Sequence, residues 1–244
     1  MPSELAALRG EPSYVWRAGQ ERRLQMIAKW ARLADASILI DGCGVGMYPS
    51  QIGRRYKAHI EAFDIEYDRV VDTRAETPRA VVAAAEAVPY PNDTFDTILS
   101  HEVLEHVNDD RAAVLEMVRV LKPGGRIVIF APNRWYPFET HGHYWRGAYH
   151  FGNTPLINYL PDALRNRLAP HVRAYTARGL RRLFNGTPTR VITHTRVYGG
   201  YDNIIARLGG AGRMIRDTLQ RVEGTPLDTV GLSHFLVVEK AVSG

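Results

Sequence analysis

The chain has a single cysteine among its 244 residues, Cys43, which excludes an intrachain disulfide and favours a reducing compartment. No apolar run approaches the roughly 20 residues that cross a bilayer. The N-terminus also lacks the basic-then-apolar pattern of a secretory signal. We therefore expect a cytoplasmic protein without a transmembrane segment. A G-x-x-x-x-G-K-[ST] phosphate loop is absent too, so the usual cradle for a nucleoside triphosphate is excluded.

Length and an apolar content of 45% suffice for one sizeable core, and we expect a single domain over residues 1–244. The net charge of +5 is distributed unevenly. Eight arginines and one acid, Asp162, lie between Leu160 and Arg196, which gives this segment a local charge of +7. A solvated helical face explains such a run most simply. The alternatives are that these arginines bind an anionic acceptor, a membrane surface or nucleic acid.

Short apolar runs alternate with segments of helical periodicity, and this alternation predicts an α/β protein with a parallel, doubly wound sheet. A helix is predicted within residues 15–35, before the sheet. The predicted strands cover residues 38–40, 59–63, 79–83, 95–100, 126–131, 189–198 and 234–239. Further helices are predicted over residues 109–121, 176–184 and 204–221, and Lys122-Pro-Gly-Gly125 should stop the first of them.

The first strand leads directly into three glycines spaced two residues apart, Gly42, Gly44 and Gly46. Glycine permits positive φ and lets a ligand lie on bare backbone. A buried strand, a glycine turn and a helix form a nucleotide crevice at the carboxyl end of the strand. The G-x-G-x-G spacing differs from the G-x-G-x-x-G of dinucleotide-binding enzymes. The turn therefore predicts a nucleoside ligand that lacks a pyrophosphate.

Aromatic residues are concentrated after the predicted fifth strand. Eight of the 23 aromatic residues lie between Trp135 and Tyr159. Segments of this length between elements are usually functional, so residues 132–175 are predicted to form a lid. Such a lid would cover the ligand and provide an apolar pocket for a flat or lipophilic acceptor. A satellite core or an oligomer contact is the alternative.

Four segments, in this order and spacing, carry a family resemblance: ILIDGCGVG (38–46), AEAVPYPNDTFDTIL (85–99), SHEVLEHV (100–107) and RVLKPGG (119–125). The chain resembles class I S-adenosylmethionine-dependent methyltransferases, in particular the small-molecule group related to ubiquinone and menaquinone methyltransferases. The resemblance implies a Rossmann-like sheet of about seven strands, mostly parallel with the last strand antiparallel. It also implies S-adenosylmethionine as the cofactor.

Within this resemblance the glycine turn would hold the methionine portion, and Asp64 would accept hydrogen bonds from the ribose hydroxyls. The alternative for Asp64 is a helix N-cap. Glu86 and Ala87 would lie beside the adenine, and Ser100 and His101 would close the crevice near the sulfonium. The predicted cofactor residues are Asp41, Gly42, Cys43, Gly44, Gly46, Asp64, Ile65, Ala85, Glu86, Ala87, Ser100 and His101.

Two positions depart from the family pattern. The family has an acidic residue two positions before the first glycine, where this chain has Ile40, and the acid is displaced to Asp41. Because side chains alternate along a strand, Asp41 either contacts the ligand amino group or caps the turn. The second departure is Ala84, where the family often has an aspartate that receives the adenine amino group. Glu86 or the backbone could replace that contact, or the contact is absent.

Two histidine motifs have spacings similar to those of metal sites. His101-Glu-Val-Leu-Glu-His106 is similar to a zinc-protease helix, but H-E-x-x-H needs a histidine where Glu105 stands. His106 comes one residue late and is expected to be structural. Glu139-Thr-His-Gly-His143 has possible ligands at alternate positions, which can point the same way in an extended segment. No cysteine or other acidic cluster lies near it to support a metal site. We therefore expect no metal at either motif.

The candidate general bases are His141, His143 and Glu139, which follow the fifth strand on the crevice side of the sheet. Histidine suits proton removal because its unperturbed pKa is about 6.5. We prefer His141. The alternative is that these are lid residues hydrogen-bonded to backbone.

The predicted function is methyl transfer from S-adenosylmethionine to an oxygen or carbon of a small or lipid-linked acceptor. An RNA methyltransferase that holds phosphates with the arginines of 165–196 is the main alternative. Against it, Ser100-His-Glu-Val103 stands where amino-methylating nucleic-acid enzymes carry an Asn-Pro-Pro-Tyr type tetrapeptide. A non-catalytic cofactor-binding scaffold is the third possibility.

Overall fold

The computed structural model describes residues 15–242, and a seven-stranded sheet lies at its centre. The strands of this part of the chain are β1 (Ser37–Asp41), β2 (His59–Asp64), β3 (Ala80–Val82), β4 (Phe95–His101), β5 (Leu121–Pro132), β6 (Phe138–Glu139), β7 (His143–Trp145), β8 (Ala148–His150), β9 (Thr154–Pro155), β10 (Thr189–Val197) and β11 (Ser233–Lys240). The α-helices are α1 (Ala18–Trp30), α2 (Met47–Tyr56), α3 (Tyr67–Arg74), α4 (Asp110–Val120), α5 (Asp162–Leu168), α6 (Ala177–Arg182), α7 (Asp202–Leu208) and α8 (Gly210–Arg221). No helix within residues 15–242 is both long enough and apolar enough to cross a membrane.

The strand order of the main sheet is β10-β11-β5-β4-β1-β2-β3. The pairs from β5 to β3 are all parallel, whereas β11 runs antiparallel to both of its neighbours, β5 and β10. The predicted doubly wound, mostly parallel sheet with an antiparallel last strand is therefore confirmed. Because β1, β2 and β4 are parallel neighbours, their carboxyl ends meet at one edge, where a ligand crevice is expected.

The central strands are buried on both faces. In β1, Leu39 packs into one apolar cluster, while Ile38 and Ile40 pack into a second cluster on the opposite face. Strands covered on both sides read as continuous apolar runs, which is why β1 and β5 are easily recognised in the sequence. Because side chains pack on both faces, the positions of the strand ends are fixed, and with them the position of the crevice.

The structure corrects two predicted elements. The helix predicted over residues 204–221 is divided at Gly209, whose φ of 53° and ψ of −119° are incompatible with a continuing helix, so α7 and α8 are separate. The predicted fifth strand begins earlier, because the Lys122-Pro-Gly-Gly125 stop of α4 is already part of β5. The stop itself occurs where expected, with Leu121 as the C-cap of α4.

The aromatic-rich segment folds outside the main sheet. Strand β6 pairs with β9 and β7 pairs with β8, both antiparallel, and α5 follows them. Rings of this segment stack mainly on one another, as in the pairs Trp135–Tyr159 and Tyr144–Tyr149.

Candidate active site

A cavity of about 380 Å³ lies at the carboxyl ends of β1, β2 and β4, within the size range of small-molecule sites. Nine of the twelve predicted cofactor residues line it: Asp41, Gly42, Cys43, Gly44, Asp64, Ile65, Ala85, Glu86 and His101. The other three, Gly46, Ala87 and Ser100, are not part of the lining. The predicted crevice and this cavity therefore coincide.

The glycine turn shows why these positions carry no side chain. All three glycines have positive φ, at 69° for Gly42, 54° for Gly44 and 80° for Gly46. A Cβ atom on Gly42 would lie 2.3 Å from Val103 Cγ2, and one on Gly46 would lie 3.1 Å from Thr73 Cα. A Cβ atom on Gly44 would meet nothing within 4 Å. Gly42 and Gly46 are thus needed for packing, whereas Gly44 presents bare backbone to the cavity.

The Asp64 carboxylate joins the turn to the end of β2. Its Oδ2 accepts a hydrogen bond from the Gly44 main-chain N–H at 3.0 Å, and its Oδ1 accepts one from the Glu66 N–H at 3.0 Å. Glu66 is itself the N-cap residue of α3, so Asp64 supports the start of that helix without being its cap. An ionised carboxylate has about four acceptor positions, so about two remain available toward the cavity.

Asp41 is a buried acid without a normal hydrogen bond. Its side chain is 1% exposed, and neither carboxylate oxygen has a hydrogen-bond partner within residues 15–242. The Ser100 hydroxyl, on the paired position of β4, is likewise buried and unpartnered there. Burial raises the pKa of Asp41 to about 7, and the nearby Asp64 and Glu86 charges add to the increase. Asp41 therefore does not cap the turn, and it faces the cavity.

Glu86 is already engaged by backbone. Its Oε1 accepts hydrogen bonds from the N–H groups of Asn108 at 2.8 Å and Asp109 at 3.1 Å, immediately before α4. Ala84 and Ala87 form an isolated bridge across the same turn. Replacement of the missing adenine contact by Glu86 would use the other oxygen of this carboxylate.

The N-terminal helix α1 supplies Arg23, a charged residue behind the cavity wall that the sequence analysis did not identify. Arg23 Nη1 lies 2.7 Å from His101 Nε2 and 3.2 Å from Glu102 Oε1. Because arginine only donates, His101 accepts through Nε2 and is neutral. Burial, with Arg23 second, lowers the pKa of His101 to about 3. Burial raises the pKa of Glu102, but the Arg23 charge outweighs it and the pKa falls to about 2.

Cys43 also lines the cavity and is poorly suited to nucleophilic work. Burial raises the pKa of its thiol to about 11, which keeps it protonated at neutral pH. It contributes apolar surface to the crevice.

The three candidate bases occupy different environments. Glu139 and Arg165 form an ion pair at 2.8 Å, and both side chains are buried. His141 Nδ1 lies 3.2 Å from Glu139 Oε1, and its ring stands at 5.5 Å, centroid to centroid, from that of His106, which lines the cavity. His143 Nδ1 instead meets Thr154 Oγ1 at 3.0 Å. None of the three lines the cavity, but His141 contacts a residue that does, His106.

Glu139 is enclosed within its segment. Its neighbours Phe138 and Thr140 line a second cavity of about 620 Å³, while Glu139 points inward to His141 and Arg165. Burial raises the pKa of Glu139, but His141 and then Arg165 outweigh it, so the net shift is downward. A carboxylate held in this way is an orienting group and a weak base.

The segment after β4 does not form a helix. Residues 102–109 make a turn, in which Glu102 has a φ of 56°. Glu105 is fully buried, and burial raises its pKa well above the ordinary value, with the Glu102 charge as the next cause. Burial also lowers the pKa of His106 to about 4. Sequence spacing did not show that His141 Nε2 lies 3.9 Å from Glu105 Oε1, because the two residues are far apart along the chain.

The aromatic segment covers less of the crevice than predicted. Its rings do not line the 380 Å³ cavity, and Trp135, Trp145 and Phe151 are exposed. Tyr136 and Phe138 line the second cavity together with Tyr198 and Tyr201. Ring contacts within the segment, such as the tilted pair Trp135–Tyr159, lie away from the 380 Å³ cavity.

The arginine-rich segment is largely committed to internal contacts. Five of its eight arginines bond to acids or histidine within residues 15–242: Arg165–Glu139, Arg173–Asp110, Arg181–His194, Arg190–Glu239 and Arg196–Asp228. A guanidinium that is already paired has less to offer a phosphate. The excess charge of this segment therefore serves mainly to support the fold.

Comparison with known proteins agrees with this geometry. Residues 40–129, from β1 into β5, match the family of methyltransferase domains. Within this region the chain is similar to class I S-adenosylmethionine-dependent methyltransferases related to the ubiquinone and menaquinone methyltransferases, in agreement with the sequence resemblance.

Two curated relatives are similar over this region. One is a ubiquinone biosynthesis O-methyltransferase of Xylella fastidiosa, 30% identical over 119 residues, which cover 46% of this chain and 48% of the relative. The other is a ubiquinone/menaquinone biosynthesis C-methyltransferase of Cupriavidus taiwanensis, 31% identical over 106 residues, covering 40% and 43%. The chain thus spans less than half the length of these relatives.

Solved structures share the fold more completely. An S-adenosylmethionine-dependent methyltransferase from Mesorhizobium loti superposes with a TM-score of 0.63 at 16% identity, over 91% of this chain and 98% of that one. This likeness extends the shared architecture beyond the 40–129 region.

Proposed function

We propose that the protein transfers a methyl group from S-adenosylmethionine to an oxygen or carbon atom of a small or lipid-linked acceptor. The observation that carries the proposal is the buried, unpartnered Asp41 carboxylate beside the bare Gly44 backbone, in a cavity of about 380 Å³. A buried acid of this kind needs a cationic or donor partner. The ammonium group of the cofactor's methionine portion is such a partner.

The chain's own residues suit the remaining parts of this cofactor. The two available acceptor positions of Asp64 would receive the ribose hydroxyls, and Ile65 and Ala85 offer apolar contact for the adenine. Bound S-adenosylmethionine supplies an activated methyl group, which passes to the acceptor atom as the carbon–sulfur bond breaks and its electron pair stays on sulfur. Alignment in the closed site supplies roughly 7–11 kcal/mol of barrier lowering in such reactions.

For a hydroxyl acceptor the proton must also leave. Among the three candidate bases, His141 lies nearest the cavity, through its contact with His106. Its Nδ1 faces the Glu139 carboxylate, so Nδ1 carries the proton and Nε2 is the basic atom. A general base of this type contributes about 10²–10⁴-fold.

Calorimetry with S-adenosylmethionine tests the cofactor assignment. The wild-type chain should bind, and Asp64→Asn should weaken binding roughly 10–100-fold, because hydrogen bonds to a charged group contribute about 1.5–3 kcal/mol. Asp72→Asn is the matched control, since Asp72 is an exposed acid of α3. Unchanged affinity in Asp64→Asn, or no binding by the wild type, would contradict the proposal.

Transfer itself requires a second measurement. Purified protein, isotopically labelled methyl donor and host extract should yield a product heavier by one labelled methyl group. Binding without any labelled product would instead favour the non-catalytic scaffold. Recovery of the labelled methyl group on RNA, and not on a small molecule, would favour the RNA alternative.

A further inference from the structure

The two-helix segment between β10 and β11 has an apolar outer face. Leu208, at the end of α7, and Met214 and Ile215, in α8, have side chains that are 54%, 68% and 41% exposed. Ala211 and Thr218 are exposed as well, three positions before and four positions after Met214, so they share one side of α8 with it. Exposed apolar residues that adjoin in this way mark an interaction surface, whereas single ones need no explanation.

The inner side of the same segment is packed and lines the larger cavity. Gly212 is buried where α8 packs on α7, and a Cβ atom there would lie 2.8 Å from Ile205 Cα. Ile204 of α7 and Leu219 of α8 line the cavity of about 620 Å³. The two helices are therefore held closely together, with one side against this cavity and the apolar stripe directed outward.

The unpaired positive charges of this segment are arginines. Arg207, Arg213 and Arg221 are exposed, and none of their side chains has an ion pair or a hydrogen bond within residues 15–242. Three of the four acids within residues 202–230 are paired with arginines, in the pairs Arg216–Asp217, Arg22–Glu223 and Arg196–Asp228. The fourth, Asp202, lines the larger cavity. The outer face therefore combines apolar side chains with unpaired positive charge.

This combination fits an anionic lipid surface better than it fits other occupants. Apolar side chains enter the boundary between headgroups and acyl chains, and guanidinium groups remain beside the lipid phosphates. A second copy of the chain would place the same arginines opposite one another across a two-fold axis, where like charges repel. Nucleic acid binds through its phosphate charge and would leave Met214 and Ile215 in water.

We propose that α7 and α8 bind the surface of an anionic lipid bilayer through Leu208, Met214, Ile215 and the three unpaired arginines. Because Ile204 and Leu219 line the larger cavity from the other side of these helices, the contact would place that cavity next to the bilayer. The acceptor would then be a lipid-linked molecule taken from the membrane, an assignment that rests on the proposed methyl transfer. The bilayer contact itself requires neither cofactor nor acceptor.

Sedimentation with lipid vesicles tests this contact. The full-length protein should sediment with vesicles of equal parts phosphatidylcholine and phosphatidylglycerol but not with pure phosphatidylcholine, and raised salt should release it. Arg213→Gln should weaken binding about fivefold, because each basic residue near an anionic surface contributes about 1 kcal/mol. Arg182→Gln is the matched control and should leave binding unchanged, since Arg182 is an exposed arginine of α6 whose side chain also has no partner within residues 15–242.

A second pair of variants tests the apolar part of the contact. Met214→Ser combined with Ile215→Ser should weaken binding to the anionic vesicles roughly tenfold or more, because the transferred apolar area is lost while the charge is kept. Leu115→Ser, at a position of α4 that is 46% exposed, is the matched control and should bind as the wild type does. Circular dichroism melting should show that each variant is folded.

Several results would overturn the bilayer contact. These are no sedimentation with anionic vesicles, or wild-type binding by both Arg213→Gln and the Met214 and Ile215 double variant. Self-association in ultracentrifugation that the double variant abolishes would assign the face to a second copy instead. Retention on RNA that depends on the arginines alone would assign it to nucleic acid.

Calorimetry with S-adenosylmethionine separates this inference from the proposed function. Cofactor binding by a protein that does not bind vesicles overturns the bilayer contact alone. Vesicle binding by a protein that does not bind the cofactor overturns the proposed function and leaves the contact in place.

Discussion

The main-chain N–H of Gly44 donates to Oδ2 of Asp64 across 3.0 Å, so one carboxylate holds the glycine turn against the end of β2. Both residues also line the cavity. The glycine turn and the predicted ribose site are therefore joined by a hydrogen bond, and we expect a substitution in either one to change ligand affinity at the other. Substitutions of Gly44 and Asp64 can separate changes in ligand affinity from changes in the free energy of unfolding.

Gly44→Ala should weaken S-adenosylmethionine binding much more than it weakens the fold. The new Cβ atom would enter open space at the cavity, with nothing within 4 Å. The backbone cost of a left-handed alanine is about 1–2 kcal/mol. Gly186→Ala is the matched control, because Gly186 has a φ of 75° and similar open space away from the crevice. Calorimetry and urea unfolding give the two readouts, and equal affinity in both variants would refute the backbone contact.

Asp41 should make stability fall as pH rises. Its folded-state pKa of about 7 exceeds its ordinary value of 3.8, so the folded state keeps a proton that the unfolded state has released. The stability contribution is complete below about pH 4 and is lost as pH rises through about 7. The shift corresponds to an upper limit of about 4 kcal/mol.

Urea unfolding of wild type and Asp41→Asn from pH 4 to pH 8 would measure this difference. The wild-type slope against pH should be steeper, because the asparagine does not titrate. Asp72→Asn, at an exposed position, should keep the wild-type slope. Parallel curves for wild type and Asp41→Asn would show that Asp41 is ionised throughout.

His101 should remain neutral in the folded protein down to about pH 4. Its pKa of about 3 arises from burial first and from the Arg23 charge second. Because the unfolded value is 6.5, the contribution of neutral His101 is present above pH 6.5 and is lost as pH falls toward 3. Nuclear magnetic resonance of the ring protons should show titration at higher pH in Arg23→Met, still below 6.5. An unchanged titration in Arg23→Met would contradict the Arg23 contact, and a wild-type titration near 6.5 would contradict the burial of His101.

The buried pair between Glu139 and Arg165 should be sensitive to removal of one partner. Both side chains are 3% exposed, and leaving an uncompensated buried charge costs about 3–5 kcal/mol. Arg165→Met should therefore destabilise strongly, and Glu139→Gln added to it should recover part of the loss. Arg54→Met, in a pair exposed by 66% and 48%, should cost no more than about 1 kcal/mol. A double-mutant cycle without coupling would contradict this account.

Much of the central sheet was predictable because its strands are buried on both faces. Apolar runs such as Ile127–Ala131 have few alternatives, and their glycine and proline boundaries are strong local signals. The crevice was predictable for the same reason, since the ends of β1, β2 and β4 follow from the parallel order. The local sequence gave no clear signal for the break at Gly209 in the helix predicted over residues 204–221, because an isolated glycine is tolerated in many helices.

Long-range partners were beyond the reach of sequence spacing. Arg23 meets His101 across 78 positions of the chain, and no periodicity relates the two. Likewise, His141 lies 3.9 Å from Glu105, which belongs to the non-helical turn over residues 102–109, and no spacing in the sequence relates the two. Composition predicts apolar surface in the aromatic segment, but it does not indicate which cavity its rings line.

Strand β6 has a consequence for communication between the two cavities. Phe138 and Thr140 face the larger cavity, while Glu139 between them grips the His141 imidazole. A guest in the larger cavity that displaced Phe138 or Thr140 would also displace Glu139 and the His141 imidazole beside it. Any resulting change in affinity at the crevice would be matched by an equal change at the larger cavity.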